Sequence, residues 1–326
     1  MGDAPDRHRQ PLALRTPTPA GLAVAHAILV TGASGFVGAA ATVALRNQGY
    51  EVLGVDLSQS AEPDFRSCDL CDAAQLAVAI DGAPLAAIVH CGAVSGPALF
   101  RNDPGHVARS NMSSTVNLLE YARQRSITRF VFASSASVYG PKPVEVPVEE
   151  ECALHPTSVY AASKVAGEAL VEAYVHQHGL SAASLRIAAV YGPGRRTPCF
   201  IRDMIVAGLK NEPLAIPFGR DERYHYVHID DVAAALVKAV GVSSFGAPAY
   251  TIAADRGITL GELADLVRRI VPGPPIIVAP GTDPLSDPQG PYELGAVIRD
   301  FAWRPALDLA TGIRTYAQFL ANHQEN

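Results

Sequence analysis

Short apolar runs recur along the chain, separated by longer stretches of mixed character. Ala27–Val30, Glu51–Val55, Ala86–His90, Arg129–Ala133 and Leu185–Val190 have the length and composition of buried strands. Between them, Ala39–Asn47 and Ser110–Arg125 read as helices. A longer helix is predicted to start after Thr157 or Ser158, either of which can cap it, and to run to His178 before stopping at Gly179. This alternation predicts an α/β fold, a doubly wound parallel sheet with helices on both faces. Ligands of such sheets gather at the carboxyl ends of the strands. Pro141–Pro156 holds four prolines and four acids and is predicted to be a loop. After Tyr191-Gly192-Pro193-Gly194 the elements shorten and are broken by Gly and Pro, notably in Pro272–Pro291. The expected organisation is a disordered extension over 1–26, a first domain over 27–189 and a smaller α/β domain over 190–326. A return to the first domain is expected around 227–240.

The first strand runs into Gly32, Gly35 and Gly38, each three residues from the next. Glycines there allow a sharp turn and let a diphosphate approach bare N–H groups at the positive end of the following helix. The second strand ends in Asp56, 18 residues after Gly38. A carboxylate at that place accepts both ribose hydroxyls of an adenosine and repels a 2′-phosphate. With no Lys or Arg between Asp56 and Arg66, the expected cofactor is NAD rather than NADP. Cys68-Asp69-Leu70 follows the second strand, where a polar loop receives the adenine, and His90-Cys91-Gly92-Ala93 closes another strand on the same edge.

Composition narrows the partners. The 326 residues carry a formal net charge of −6 with only 26 Lys and Arg, so no basic field invites nucleic acid or an anionic membrane. No apolar run approaches the roughly 18 residues of a membrane span, and the N-terminal flanks do not make a signal peptide. Five cysteines (Cys68, Cys71, Cys91, Cys152 and Cys199) are an odd number in a chain that needs no staples, which points to a reducing, cytoplasmic setting. Cys68-x-x-Cys71 lacks a second pair or a nearby His, so no metal site is expected.

Tyr160 and Lys164 are four apart on the predicted long helix and so share a face. A free tyrosine, with a pKa near 10, is a poor base at neutral pH; a neighbouring ammonium and a positive nicotinamide draw that pKa down. Ser135, at the end of the preceding strand, is placed to hold a substrate oxygen. Asn111 is expected to fix a water or a backbone carbonyl behind the lysine.

Taken together, Thr31–Gly38, Asp69-Leu70, His90–Ala93, Asn111, Ser134–Gly140, Tyr160-x-x-x-Lys164 and Tyr191–Gly194 resemble the extended short-chain dehydrogenases/reductases of the NAD-dependent epimerase/dehydratase family. So do Arg223 with Tyr226–Val232 and, near the end, Phe301–Pro305. The resemblance covers about Ala27–Leu320. It implies a Rossmann-type fold with a smaller substrate domain and a homodimer formed through helices around 111–125 and 159–178. It also implies a catalytic set of Ser135, Tyr160, Lys164 and Asn111, with Tyr160 as acid/base. The cofactor-binding positions would be Gly32, Ser34, Gly35, Phe36, Val37, Gly38, Asp56, Leu57, Asp69, Leu70, Cys91, Gly92, Ala93, Ser95 and Ala188, with Asn111, Tyr160 and Lys164. The substrate would meet Ser95, Ser135, Ser137, Tyr160, Arg195, Arg196 and Arg223.

Sugar 4,6-dehydratases resemble Thr-Asp-Glu where this chain has Ser135-Ala136-Ser137, so the pattern resembles UDP-galactose 4-epimerases and their relatives instead. Two departures stand out. Ala189 occupies a position where nucleotide-sugar enzymes resemble Asn, and Val278–Pro291 offers no counterpart to their late diphosphate-binding arginine. A nucleotide-sugar 4-epimerase is the leading expectation. An NAD-dependent dehydrogenase of a free sugar, sugar acid or polyol is the alternative, and a non-catalytic NAD-binding protein comes third.

Overall fold

A computed structural model describes residues 27–96 and 98–323; the extension expected over 1–26 lies outside the described residues. The strands are β1 Ala27–Thr31, β2 Val52–Asp56, β3 Phe65–Ser67, β4 Leu85–His90, β5 Arg129–Ser135, β6 Ser181–Ile187, β7 Ala189–Tyr191, β8 Leu214–Ile216, β9 Arg223–Tyr224, β10 Tyr226–His228, β11 Ala249–Ile252, β12 Ile258–Thr259 and β13 Ile276–Val278. The helices are α1 Phe36–Asn47, α2 Ala73–Ala79, α3 Pro104–Gln124, α4 Val159–His178, α5 Phe200–Lys210, α6 Ile229–Gly241, α7 Leu260–Ile270, α8 Gly295–Phe301 and α9 Leu309–Asn322.

Seven strands form one sheet in the order β11-β6-β5-β4-β1-β2-β3. Every pairing within it is parallel. Parallel strands covered on both faces must be apolar throughout, and Ile28, Leu29, Val30, Ile88, Val89, Phe130 and Val131 are fully buried. One core layer packs β1, β4 and β5 against α1 and α6; the other lies under α2, α3 and α4. This is the Rossmann-type doubly wound sheet. A separate core is built from α5, α7 and α9 around Ile201, Met204, Leu263 and Ile313, and forms the smaller lobe.

The chain after Val190 serves both cores. Helix α6 packs on α1, β11 extends the large sheet beside β6, and Leu294, Val297, Phe301 and Trp303 join the first core. Asp231 ties this return to the tail. Its carboxylate accepts from the Ala306 and Leu307 N–H groups (2.8 and 3.3 Å), and the Trp303 indole donates to its carbonyl (3.0 Å).

Three boundaries differ from the sequence expectation. Helix α1 starts at Phe36 rather than Ala39, because Gly38 belongs to its first turn. Helix α3 starts at Pro104 rather than Ser110, with Asp103 capping His106 N–H at 3.0 Å and Pro104 where no N–H is needed. The apolar run Leu185–Val190 is not one strand. Ala188 N–H turns to Ile252 and Ala189 N–H to His225, so the run divides into β6 in the large sheet and β7, which pairs with β10.

His90 fastens the centre of this frame. Its Nδ1 meets Thr31 Oγ1 at 2.8 Å and its Nε2 meets Thr115 Oγ1 at 3.2 Å, joining β1, β4 and α3. Burial, with a smaller push from the Lys164 charge, lowers the imidazole from 6.5 to about 3. Above pH 6.5 the ring is neutral in both folded and unfolded chains. Between pH 6.5 and about 3 only the unfolded chain takes up the proton, so stability falls by about 1.4 kcal/mol per pH unit from this group. Urea unfolding of the protein and His90→Asn between pH 4 and 8 is expected to show this slope only in the former; parallel profiles would contradict it.

Candidate functional site

The carboxyl ends of β1, β2, β4, β5 and β6 open onto one crevice of about 1900 Å³. That exceeds the roughly 300–1,000 Å³ of a single small-ligand pocket, so it has room for a dinucleotide and a second molecule.

The glycine turn sets its floor. Gly32 has φ +66° and its carbonyl accepts from Gly35 N–H at 2.9 Å. A Cβ on Gly32 would sit 2.7 Å from Gly92 N, and one on Gly38 would overlap the Gly32 carbonyl. Gly35 caps α1 without a side-chain partner, leaving the N–H groups of the first turn available at the positive helix end. Ser34, Phe36 and Val37 line the same wall. Asp56 accepts from Ser34 N–H (3.1 Å) and Leu57 N–H (2.7 Å), which fixes its carboxylate at the edge of the crevice beside exposed Leu57. Asp69 spends one oxygen on Cys71 N–H at 2.9 Å. Leu70 packs on Gly92, with Cys91 and Ala93 beside them. A cradle that side chains would fill, an uncapped helix start and a ribose-level carboxylate with no cation bonded to it among the described residues suit NAD. Among the described residues, no group of three or more His, Cys, Asp or Glu is placed to hold a metal.

Ser135 closes β5, and its Oγ lies 3.1 Å from Ser137 Oγ. Tyr160 stands on the first turn of α4, which Ser158 caps through Ala161 N–H at 3.1 Å. The Ser135 and Ser95 hydroxyls both face its phenol. Lys164 is 4% exposed; its Nζ donates to the Ala133 carbonyl at 2.7 Å and lies 6.0 Å from the Tyr160 ring centre. Burial lowers the ammonium to about 8, against the opposing pull of Cys91 and Glu168. Burial raises the Tyr160 phenol, with Ser135 and Ser95 opposing. The lowered phenol expected from the sequence includes a positive nicotinamide; in the protein alone, desolvation outweighs the two hydroxyls. Asn111 does fix a backbone carbonyl, that of Val94. Its amide holds the Val94 backbone on both sides (2.8 and 3.1 Å) and donates to Ser163 Oγ at 2.9 Å.

The candidate substrate cations are largely occupied. Arg195 donates to the carbonyls of Val190, Thr197 and Pro198, and Arg223 to that of Gly257 at 2.7 Å. Arg196 is exposed at the mouth. Ala188 is buried on Ile252, whereas Ala189 is exposed in the crevice wall. Residues 283–292, most of them within the Pro-rich stretch Pro272–Pro291, line the crevice and reach across to its other walls. Asp283 accepts from the Tyr224 hydroxyl (2.9 Å), Asp287 from Thr157 (2.7 Å), and Gln289 donates to the Ala136 and Gly140 carbonyls. His225 also lines this wall. No periodicity marks these residues; the one local signal is the alternation around Arg223–Tyr226.

A family model described as the NAD dependent epimerase/dehydratase family matches residues 28–253. The chain belongs to that family. Its members use NAD. Among curated relatives, UDP-glucuronate 4-epimerase 6 of Arabidopsis thaliana is 28% identical over 91% of this chain and 72% of its own length. UDP-glucose 4-epimerase of Mycolicibacterium smegmatis is 28% identical over 91% and 99%. The structure of Thermus thermophilus UDP-glucose 4-epimerase in complex with NAD superposes with a TM-score of 0.80 at 27% identity, covering 91% of this chain and 99% of that one.

Asp56→Asn is expected to weaken NAD binding and narrow its advantage over NADP in a fluorescence titration. Equal or tighter NADP binding by the unmodified protein would contradict the placement of the adenosine ribose at Asp56.

Proposed function

We propose that the protein is a nucleotide-sugar 4-epimerase acting on a UDP-hexose, with the lobe built on α5, α7 and α9 helping to hold the nucleotide. The observation that carries this is the meeting of Ser135, Tyr160 and Lys164 beside the crevice, with no acid in the Ser134–Ser137 turn. The relatives named above, which act on UDP-glucuronate or UDP-glucose by their names, support it.

NAD would be held by the glycine turn, Asp56, Asp69 and the Cys91–Ala93 edge, and its oxidised, positively charged ring would supply the hydride acceptor. The protein's own groups manage the proton. Tyr160 accepts the proton of the sugar O4–H as C4 loses its hydride, and Ser135 holds that oxygen. Lys164 stabilises the phenolate by its charge while the Ala133 carbonyl keeps it in place. Asn111 acts at a distance by pinning Val94 and Ser163, whose hydroxyl donates to the Tyr160 carbonyl at 2.7 Å. Once the 4-keto sugar has turned over, its re-reduction from the other face would require a proton at O4, which Tyr160 gives back. A dehydrating enzyme needs an additional acid at this turn, and Ala136 and Ser137 supply none.

A second function, oxidation of a free sugar acid by an NAD-dependent dehydrogenase, is favoured by one feature. Ala189 and the occupied Arg195 leave little to grip a diphosphate, with Arg196 and part of Arg223 remaining. One charge-assisted hydrogen bond contributes about 1.5–3 kcal/mol, so each missing partner weakens binding noticeably. The five free thiols fit a cytoplasmic setting. Met112, Val116 and Val159 are exposed on α3 and α4, and we assign that face to a homodimer contact.

UDP-glucose and UDP-galactose are expected to interconvert without net NADH, and Tyr160→Phe to lose about 10²–10⁴-fold of that turnover while staying folded. Stoichiometric NADH from a sugar acid, with neither UDP-sugar touched, would decide for the dehydrogenase. Light scattering is expected to give twice the 34.3 kDa chain mass; the chain mass itself would exclude the dimer.

A further inference from the structure

His225 takes no part in the proton chemistry, yet its surroundings are unusual for a buried imidazole. It lies between β9 and β10, is 5% exposed, and among the described residues neither Nδ1 nor Nε2 makes a hydrogen bond of good geometry. Burial keeps the ring neutral; the facing Gln289 backbone opposes this, and the nearby Arg223 charge adds a smaller push in the same direction as burial. A buried polar group left without a partner is costly, so two on one ring mark a place where the free protein is incomplete.

The ring's position says what is missing. It lies 4.7 Å from the Tyr292 ring, and the Tyr292 hydroxyl donates to Gln289 Oε1. Gln289 Nε2 donates to the Ala136 and Gly140 carbonyls (3.2 and 3.0 Å), in the turn that follows Ser135. The His225 carbonyl accepts from Ala189 N–H at 3.1 Å. A Cβ on Gly257 would come within 2.8 Å of His225 Cε1, so the imidazole is seated where only a glycine neighbour admits it. His225 is therefore built into the crevice wall that leads from the catalytic serine to Ala189.

We propose that His225 is a specificity-determining residue whose ring binds hydroxyl groups of the sugar that Tyr160 oxidises. A neutral imidazole offers one donor and one acceptor, and sugar hydroxyls do both. This rests on the crevice taking a nucleotide sugar, as proposed above.

Steady-state kinetics of the full chain with NAD and UDP-galactose provide the test. His225→Ala is expected to raise KM about three- to tenfold with kcat nearly unchanged, as for a contact made equally in ground and transition states. NAD affinity is expected to stay the same. His225→Asn, which keeps a donor and an acceptor, is expected to recover part of the loss, whereas His225→Phe fills the space without recovering it. Because the nitrogens are unpartnered without substrate, His225→Phe is also expected to unfold at a Tm no lower than the unmodified protein. An unchanged KM in His225→Ala, equal KM values for the Asn and Phe variants, or a fall in Tm for His225→Phe would overturn the assignment. A failure of the unmodified protein to turn over any UDP-sugar would instead overturn the function on which it rests.

Discussion

The carbonyl oxygen of Gly32 occupies the space that a side chain on Gly38 would need, and the site depends on that contact. It brings the first turn of α1 directly onto the end of β1. Gly92, just past the end of β4, also approaches Gly32 too closely to admit a side chain there, and His90, bonded to Thr31 and Thr115, ties β4 to β1 and α3. Three chain segments thus meet through backbone alone, which leaves free N–H groups facing a crevice instead of side chains filling it.

On the far side of the crevice the constraint is electrostatic. Lys164 is charged and buried, a costly arrangement that lowers its pKa toward 8. The Ala133 carbonyl and the Phe132 ring face, 4.8 Å away, offset part of that cost. Glu168, one turn further along α4, accepts from Arg186 (2.8 Å) and from the Ser134 hydroxyl, so the end of β5 is tied to the helix that carries Tyr160. The same burial that makes the lysine expensive raises the Tyr160 phenol, so the free site holds its proton firmly. In the proposed reaction the phenol becomes an effective base when a further positive charge enters the crevice, which would couple proton transfer to an occupied cofactor site.

Features set by neighbours in sequence were readable in advance. Ser158 and Gly179 bound α4 as cap and left-handed stop, and helical spacing placed Tyr160 and Lys164 on one face. Asp56 followed from the end of an apolar run. Features set by distant pairing were not readable. The apolar run Leu185–Val190 looks continuous, and its break at Ala188 appears only because Ile252 and His225, far along the chain, claim successive N–H groups. The start of α3 at Asp103-Pro104 had a local signal that the more polar residues before Ser110 obscured. Residues 283–292 carry no periodicity, since their place is set by side chains reaching Tyr224, Thr157 and the Ser135 turn. The upward direction of the Tyr160 shift is set by burial, against the Ser135 and Ser95 hydroxyls, and spacing does not reveal burial.

In the proposed reaction, hydride leaves C4 of a sugar and returns to the same carbon without leaving the crevice. Its most direct measurement is turnover of UDP-glucose carrying deuterium at C4, with the product sugar read by mass spectrometry and NMR. Full retention of deuterium at C4 of UDP-galactose, with none in solvent or released NADH, is predicted. Deuterium recovered in free NADH, or its exchange for solvent hydrogen at C4, would contradict the account.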